Sequence, residues 1–120
     1  GVTVLTSLDQ AALLELGISD TPQTQVLRLA RLCKEQNLHG VVCSPLEAEL
    51  LRGELGKSFV LVTPGIRPSQ SSVGDQKRIA TPKRAVRWGA DYLVVGRPIT
   101  KATDPKGAAH SILLEMGEQA

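Results

Sequence analysis

Apolar residues along this chain gather in four short runs, Val2–Leu5, Gly40–Cys43, Phe59–Val62 and Tyr92–Val95. As a set the runs lack the polar–apolar alternation of half-exposed strands. Val- and Leu-rich stretches of this length predict strands buried on both faces, as in parallel sheets. Between the runs, apolar residues recur at helical spacing. Each helical stretch opens on a capping side chain followed by proline: Thr21-Pro22, Ser44-Pro45, Thr81-Pro82 and Asp104-Pro105. Proline fits the first helical position because its missing N–H has no partner there anyway. The first helix is predicted over Pro22–Gln36, with Val26, Leu27, Leu29, Ala30 and Cys33 on one face and a stop near Asn37. The helix from Pro45 is predicted to end by Gly53, and that from Pro82 at Gly89. An additional turn, Gln10–Leu16, is predicted to shield the loop of the first strand.

Four repeated βα units in 120 residues describe one domain, residues 1–120. An open doubly wound sheet and half of a (β/α)8 barrel both accept that pattern. A complete barrel takes about 250 residues, so the chain is about half of one. A dinucleotide-binding sheet would want G-x-G-x-x-G after its first strand, and the chain has none.

Two of the strands lead into glycine–arginine loops, GIRP at Gly65–Pro68 and GRPIT at Gly96–Thr100. The carboxyl ends of parallel strands are where α/β proteins bind phosphorylated ligands, and a barrel binds phosphate after strands 7 and 8. Glycine lets the backbone approach an anion, and arginine offers a planar fork of donors. Between the third strand and its helix, Thr63–Ala80 is far longer than the usual connection of 2–6 residues. Its small polar stretch Ser69–Gly74 suits a mobile lid. Gln76 carries amide donors for a phosphate, with Lys77 and Arg78 adding charge.

Composition narrows the partners. A net charge of +2 argues for neither nucleic acid nor a membrane surface. The aromatic residues, Phe59, Trp88 and Tyr92, form no array for stacking bases. No apolar run approaches the ~20 residues of a membrane helix. Cys33 and Cys43 lack metal-like spacing and read as core thiols in a cytoplasmic, reducing setting. The chain opens on Gly1 inside a strand-like run, and its only methionine is Met116. A fragment, a processed chain or an engineered piece is the expectation.

Taken in order, TVLTSL, GVVCS, TPGIRP, DQKRIATP and GADYLVVGRPIT resemble the carboxyl half of the orotidine 5′-phosphate decarboxylase family, in its bacterial form. The resemblance implies a (β/α)8 barrel, of which this chain covers the last four βα units. It implies conversion of orotidine 5′-monophosphate to uridine 5′-monophosphate and carbon dioxide, without metal or organic cofactor, usually in a homodimer. Residue by residue, it makes Arg97 and Gln76 phosphate ligands and Gly96 a backbone contact. It places Arg67 at the ligand's border, and Thr6 and Ser7 at the pyrimidine edge. The family's catalytic Lys/Asp set includes a D-x-K-x-x-D motif. None occurs in this chain, so no catalytic residue is assigned. The expected partner is the amino-terminal half of the same enzyme. The alternatives are a half barrel that binds phosphate without catalysis, or another phosphate-binding barrel such as a sugar-phosphate decarboxylase or aldolase.

The remaining candidates have plainer readings. His39 and His110 lack catalytic partners and read as surface or structural residues. Lys101 reads as solvent-facing, Ser44 as an N-cap, and Trp88 as a core or interface anchor.

Overall fold

A computed structural model describes residues 1–68, 74 and 77–117. In chain order the elements are α1 (Gln10–Glu15), α2 (Pro22–Glu35), β1 (Gly40–Val42), α3 (Pro45–Leu55), β2 (Val60–Thr63), α4 (Pro82–Arg87), β3 (Tyr92–Leu93), α5 (Arg97–Thr100) and α6 (Pro105–Met116). The sheet order is β1-β2-β3, and both pairings are parallel. Val2 adds a further parallel bridge to Val42 on the outer edge of β1. Strand order therefore follows chain order. A doubly wound sheet reverses order at a switch point; this one does not, as expected for a stretch of barrel wall.

The helix starts follow the four predicted signals. Thr21, Ser44, Thr81 and Asp104 each cap a helix by accepting a backbone N–H, with proline in the first turn. The other boundaries shift. The first predicted strand shrinks to the Val2 bridge. Helix α3 passes through Gly53 and stops at Gly56, which takes φ 86°. Helix α2 ends at Glu35, and Asn37 turns the chain with φ 59°. GRPIT is not only loop, since Arg97–Thr100 makes the short helix α5.

Burial along the strands corrects one expectation. Val41, Leu61 and Thr63 are buried under the helices, and Val42 and Val62, which point the other way, are not. Registered partners share a face, so Val2, Val42, Val62 and Tyr92 form one row across the opposite side. Its ends are open: Val2 is 61% exposed and Tyr92 63%. The strands look apolar on both sides, yet this chain covers only one. The molecule's smallest extent, 18 Å, fits one sheet with one layer of helices.

The covered side holds two apolar clusters. The larger joins Val26 and Ala30 of α2 and Ala48, Leu51 and Leu55 of α3 to Val41 and Leu61. Trp88 packs on it half-buried, with the Arg84 guanidinium 4.6 Å above its ring. The smaller cluster is Ile66, Ala85 and Ala90, backed by Leu93 and Val95. It seats the isoleucine of GIRP, so the loop after β2 is anchored by packing.

At the amino ends of β2 and β3, Arg52 ties three segments together. Its guanidinium donates to the carbonyls of Gly56, Lys57 and Phe59 at 2.9, 3.1 and 2.7 Å, and to Gly89 at 2.6 Å. It also pairs with Asp91 at 2.6 Å, whose carboxylate accepts the Leu61 amide. Removing these donors leaves the part-buried carbonyls of Phe59 and Gly89 without this partner. Arg52→Met should cost about 3 kcal/mol in urea unfolding. A change within about 0.5 kcal/mol, the range of ordinary surface substitutions, would contradict the staple.

Candidate functional site

Parallel strands bring every βα loop out at one end, and Thr6, Ser7, Arg67, Gly96 and Arg97 lie there. After β2 the chain turns at Gly65, with φ 75°, and Ile66 forms a parallel bridge with Ala80. The Arg67 amide donates to Ala80 O at 2.9 Å, and the Ala80 amide donates to Gly65 O at 3.2 Å. The long segment after β2 thus leaves and returns at one point, just past the strand. Gly65 is required there on two counts. Its φ is left-handed, and a Cβ would lie 2.9 Å from Arg78 O and 3.4 Å from Thr6 Cγ2.

Thr6 is buried beside this root. Its carbonyl accepts the amides of Lys77 and Arg78, both at 3.2 Å. Thr6 and Ser7 line a cleft of about 220 Å³ with Val2, Val4, Leu5, Val42 and Pro64. The two predicted ring-edge residues therefore share one cavity with the start of the β2 loop. Arg67 is buried, and one of its guanidinium nitrogens donates to Ile66 O at 2.8 Å.

The second loop supplies the rim. Gly96 caps α5, and a Cβ there would meet nothing within 4 Å among the described residues. Arg97 follows, exposed. Gly74, from the long segment, lies over it: a Cβ on Gly74 would sit 3.2 Å from both Arg97 Nη1 and Nη2. Gly74 itself has φ 64°. The segment after β2 thus reaches the arginine after β3. Gln76, and residues 69–73 of the proposed lid, lie outside the described residues.

Arg78 corrects an expectation. It is not a surface charge for the ligand, because its side chain is buried in an ion pair with Glu47 of α3. Its other nitrogen, Nη2, donates to Val4 O at 3.0 Å and Leu5 O at 3.2 Å. Neither partner was visible in the sequence. Arg78 sits in a Lys-Arg pair that looks solvated, and Glu47 falls three residues after Ser44, where a capping glutamate would also fall. Burial pushes the Glu47 carboxyl above its ordinary value, and the Arg78 guanidinium opposes that shift. Lys77 does stay outside, pairing with Asp9 at 2.9 Å, and this bond holds the Asp9 carboxyl below its usual range.

The plainer readings stand. Ser44 is fully buried, caps α3 and donates its hydroxyl to Arg78 O at 3.0 Å. Cys43 is buried, and burial pushes its thiol up to about 12, which keeps it protonated and unreactive. Cys33 is half-buried. His39, His110 and Lys101 are exposed. Among the described residues no group of His, Cys, Asp or Glu is placed to hold a metal ion. No helix among them is long and apolar enough to cross a membrane.

Known proteins share this sequence pattern and fold. Residues 1–112 match the Orotidine 5'-phosphate decarboxylase / HUMPS family. The chain belongs to that family. It is 58% identical over 112 residues to an orotidine 5′-phosphate decarboxylase of Glaesserella parasuis serovar 5 (strain SH0165), covering 93% of this chain and 49% of the relative. It is 54% identical over 117 residues to that of Idiomarina loihiensis, covering 98% and 51%. The crystal structure of the Lactobacillus acidophilus orotidine 5′-phosphate decarboxylase superposes with a TM-score of 0.78 at 43% identity, over 98% of this chain and 48% of that one. The Pyrococcus horikoshii OT3 enzyme gives 0.64 at 27% identity, over 86% and 47%. The chain spans about half the length of the curated relatives it matches. With its sequential parallel strands, it forms about half of a (β/α)8 barrel of this family.

The approach of Gly74 to Arg97 has a direct test. Gly74→Ala places a methyl against the guanidinium and strains a left-handed residue by about 1–2 kcal/mol. It should shift the Arg97 Nε–Hε resonance. Gly53→Ala, where a Cβ meets nothing within 4 Å, should leave it in place. An Arg97 resonance that ignores Gly74→Ala would separate the two loops.

Proposed function

We propose that this chain is the phosphate-gripping half of an orotidine 5′-phosphate decarboxylase. The reaction breaks the bond between a pyrimidine ring carbon and its carboxylate. Carbon dioxide leaves, the electron pair stays on the ring carbon, and a proton replaces it, giving uridine 5′-monophosphate. In this reading Arg97 and the Gly96 amide hold the phosphate, and Gln76 reaches it from the lid. Arg67 borders the ligand, and Thr6 and Ser7 meet the pyrimidine edge. The single observation that carries the reading is the approach of Gly74 to Arg97, which joins the loops after β2 and β3 at one guanidinium. Family membership supplies the substrate.

The division of labour follows from what the residues can do. The chain contains no D-x-K-x-x-D sequence, and none of its lysines has an alternating carboxylate set around it among the described residues. Proton delivery to the ring carbon therefore falls to an amino-terminal half, which would also cover the open row of Val2, Val42, Val62 and Tyr92. Grip on the phosphate, remote from the reacting carbon, lowers the barrier only where it is expressed in the transition state. A lid that closes over the phosphate and excludes water provides that route. The completed enzyme is taken to be a cytoplasmic homodimer that uses neither metal nor organic cofactor.

An ultraviolet assay with orotidine 5′-monophosphate tests the proposal. The 120 residues alone should show no turnover. Completed with the amino-terminal half of the Glaesserella parasuis relative, they should decarboxylate. Arg97→Ala in that completed barrel should lower kcat/KM by several kcal/mol, on the order of a charge-assisted bond lost at a bound anion. Robust turnover by the isolated chain would overturn the division of labour, and an unchanged kcat/KM would remove Arg97 from the site.

A further inference from the structure

Arg78 is the point at which three consecutive βα loops meet. It lies on the returning limb of the segment after β2. Its guanidinium reaches Glu47 in the first turn of α3, the helix after β1. Through Nη2 it also reaches the carbonyls of Val4 and Leu5, in the loop after the Val2 bridge. Its carbonyl accepts the Ser44 hydroxyl, and its amide joins that of Lys77 on Thr6 O. Residues 4–6 therefore receive four hydrogen bonds from residues 77 and 78 alone.

The pair is a poor stabiliser. Both side chains are buried, and among the described residues Glu47 Oε2 and Arg78 Nε have no hydrogen-bond partner. Buried ion pairs lose most of their attraction to desolvation, and an apolar pair of similar volume is often as stable or more so. An apolar side chain, however, offers nothing to the carbonyls of Val4 and Leu5. What the guanidinium contributes is geometry: a rigid planar fork that sets one loop at a fixed distance from another.

We propose that Arg78, oriented by Glu47, is a positioning residue that fixes the ring-edge segment Thr6–Ser7 relative to the phosphate rim at Gly96–Arg97. This rests on the phosphate reading above. The segment that returns through Arg78 is the one that carries Gly74 over Arg97. Phosphate grip and ring placement thus share one root, and the substrate's two ends are held in register through it. Arg78 touches no substrate. Its effect on the reaction is to place groups that do, and a displacement of about 1 Å in such groups can cost about 10²-fold in rate.

Two variants of the completed barrel separate positioning from folding. Arg78→Lys keeps a charge for Glu47 but loses the fork to Val4 and Leu5. The double variant Glu47→Met with Arg78→Met keeps the fold by apolar packing. Each should melt as a cooperative, folded protein, with kcat lowered at least about tenfold and inhibition by inorganic phosphate within about twofold of the parent. Arg97→Ala should instead weaken inhibition by phosphate. Either Arg78 variant, folded and with the parent's kcat, overturns the proposal. So does a loss of phosphate inhibition equal to the loss in kcat, because Arg78 would then act on the rim itself. If Arg97→Ala alters neither phosphate inhibition nor kcat/KM, the phosphate reading is what fails.

Discussion

The parallel pairing of every strand governs the rest of this molecule. Because Val2, β1, β2 and β3 run the same way and lie in chain order, each helix returns over one side of the sheet. Each loop leaves at the same end. That constraint sends Thr6, Ser44, Gly65 and Gly96 to one rim, although they are far apart in the chain. It also leaves the opposite end free for stability, where Arg52 gathers the carbonyls of Gly56, Lys57, Phe59 and Gly89. The proposed site and the Arg52 staple thus occupy opposite ends of the strands, the division that barrel enzymes generally show.

The rim is built from backbone as much as from side chains. Gly65 allows the β2 loop to press against Arg78 O and Thr6, and Gly74 allows the long segment to lie on Arg97. Neither approach tolerates a Cβ without movement. Ile66 buries the loop's base in its own small cluster with Ala85 and Ala90. The loop is anchored at its root and reaches across to the next rim at Arg97.

Much of this was legible in the chain itself. The Thr-Pro, Ser-Pro and Asp-Pro starts locate helices because proline's fixed φ and missing N–H suit only the first turn. The glycine–arginine loops fall at the rim because both follow the carboxyl ends of parallel strands. What stayed hidden depended on tertiary partners. The strands look two-sided because Val42 and Val62 are as apolar as Val41 and Leu61, and composition does not say which face this chain covers. Arg78 looks like half of a solvated Lys-Arg pair, and only folding brings Glu47 beneath it. Helix α3 runs past Gly53 because Leu55 still has a core to fill, and packing outweighs the cost of glycine in a helix of about 1 kcal/mol.

The central claim is that one rim, rooted at Thr6 and Arg78 and reaching to Arg97, holds a nucleotide by its phosphate. A crystal structure of the completed barrel with uridine 5′-monophosphate tests it most directly. The account predicts phosphate oxygens within hydrogen-bonding distance of the Arg97 guanidinium and the Gly96 amide, with the pyrimidine edge at Thr6 and Ser7. A phosphate bound away from Gly96 and Arg97, or a ring bound outside the Thr6–Ser7 cleft, would contradict it.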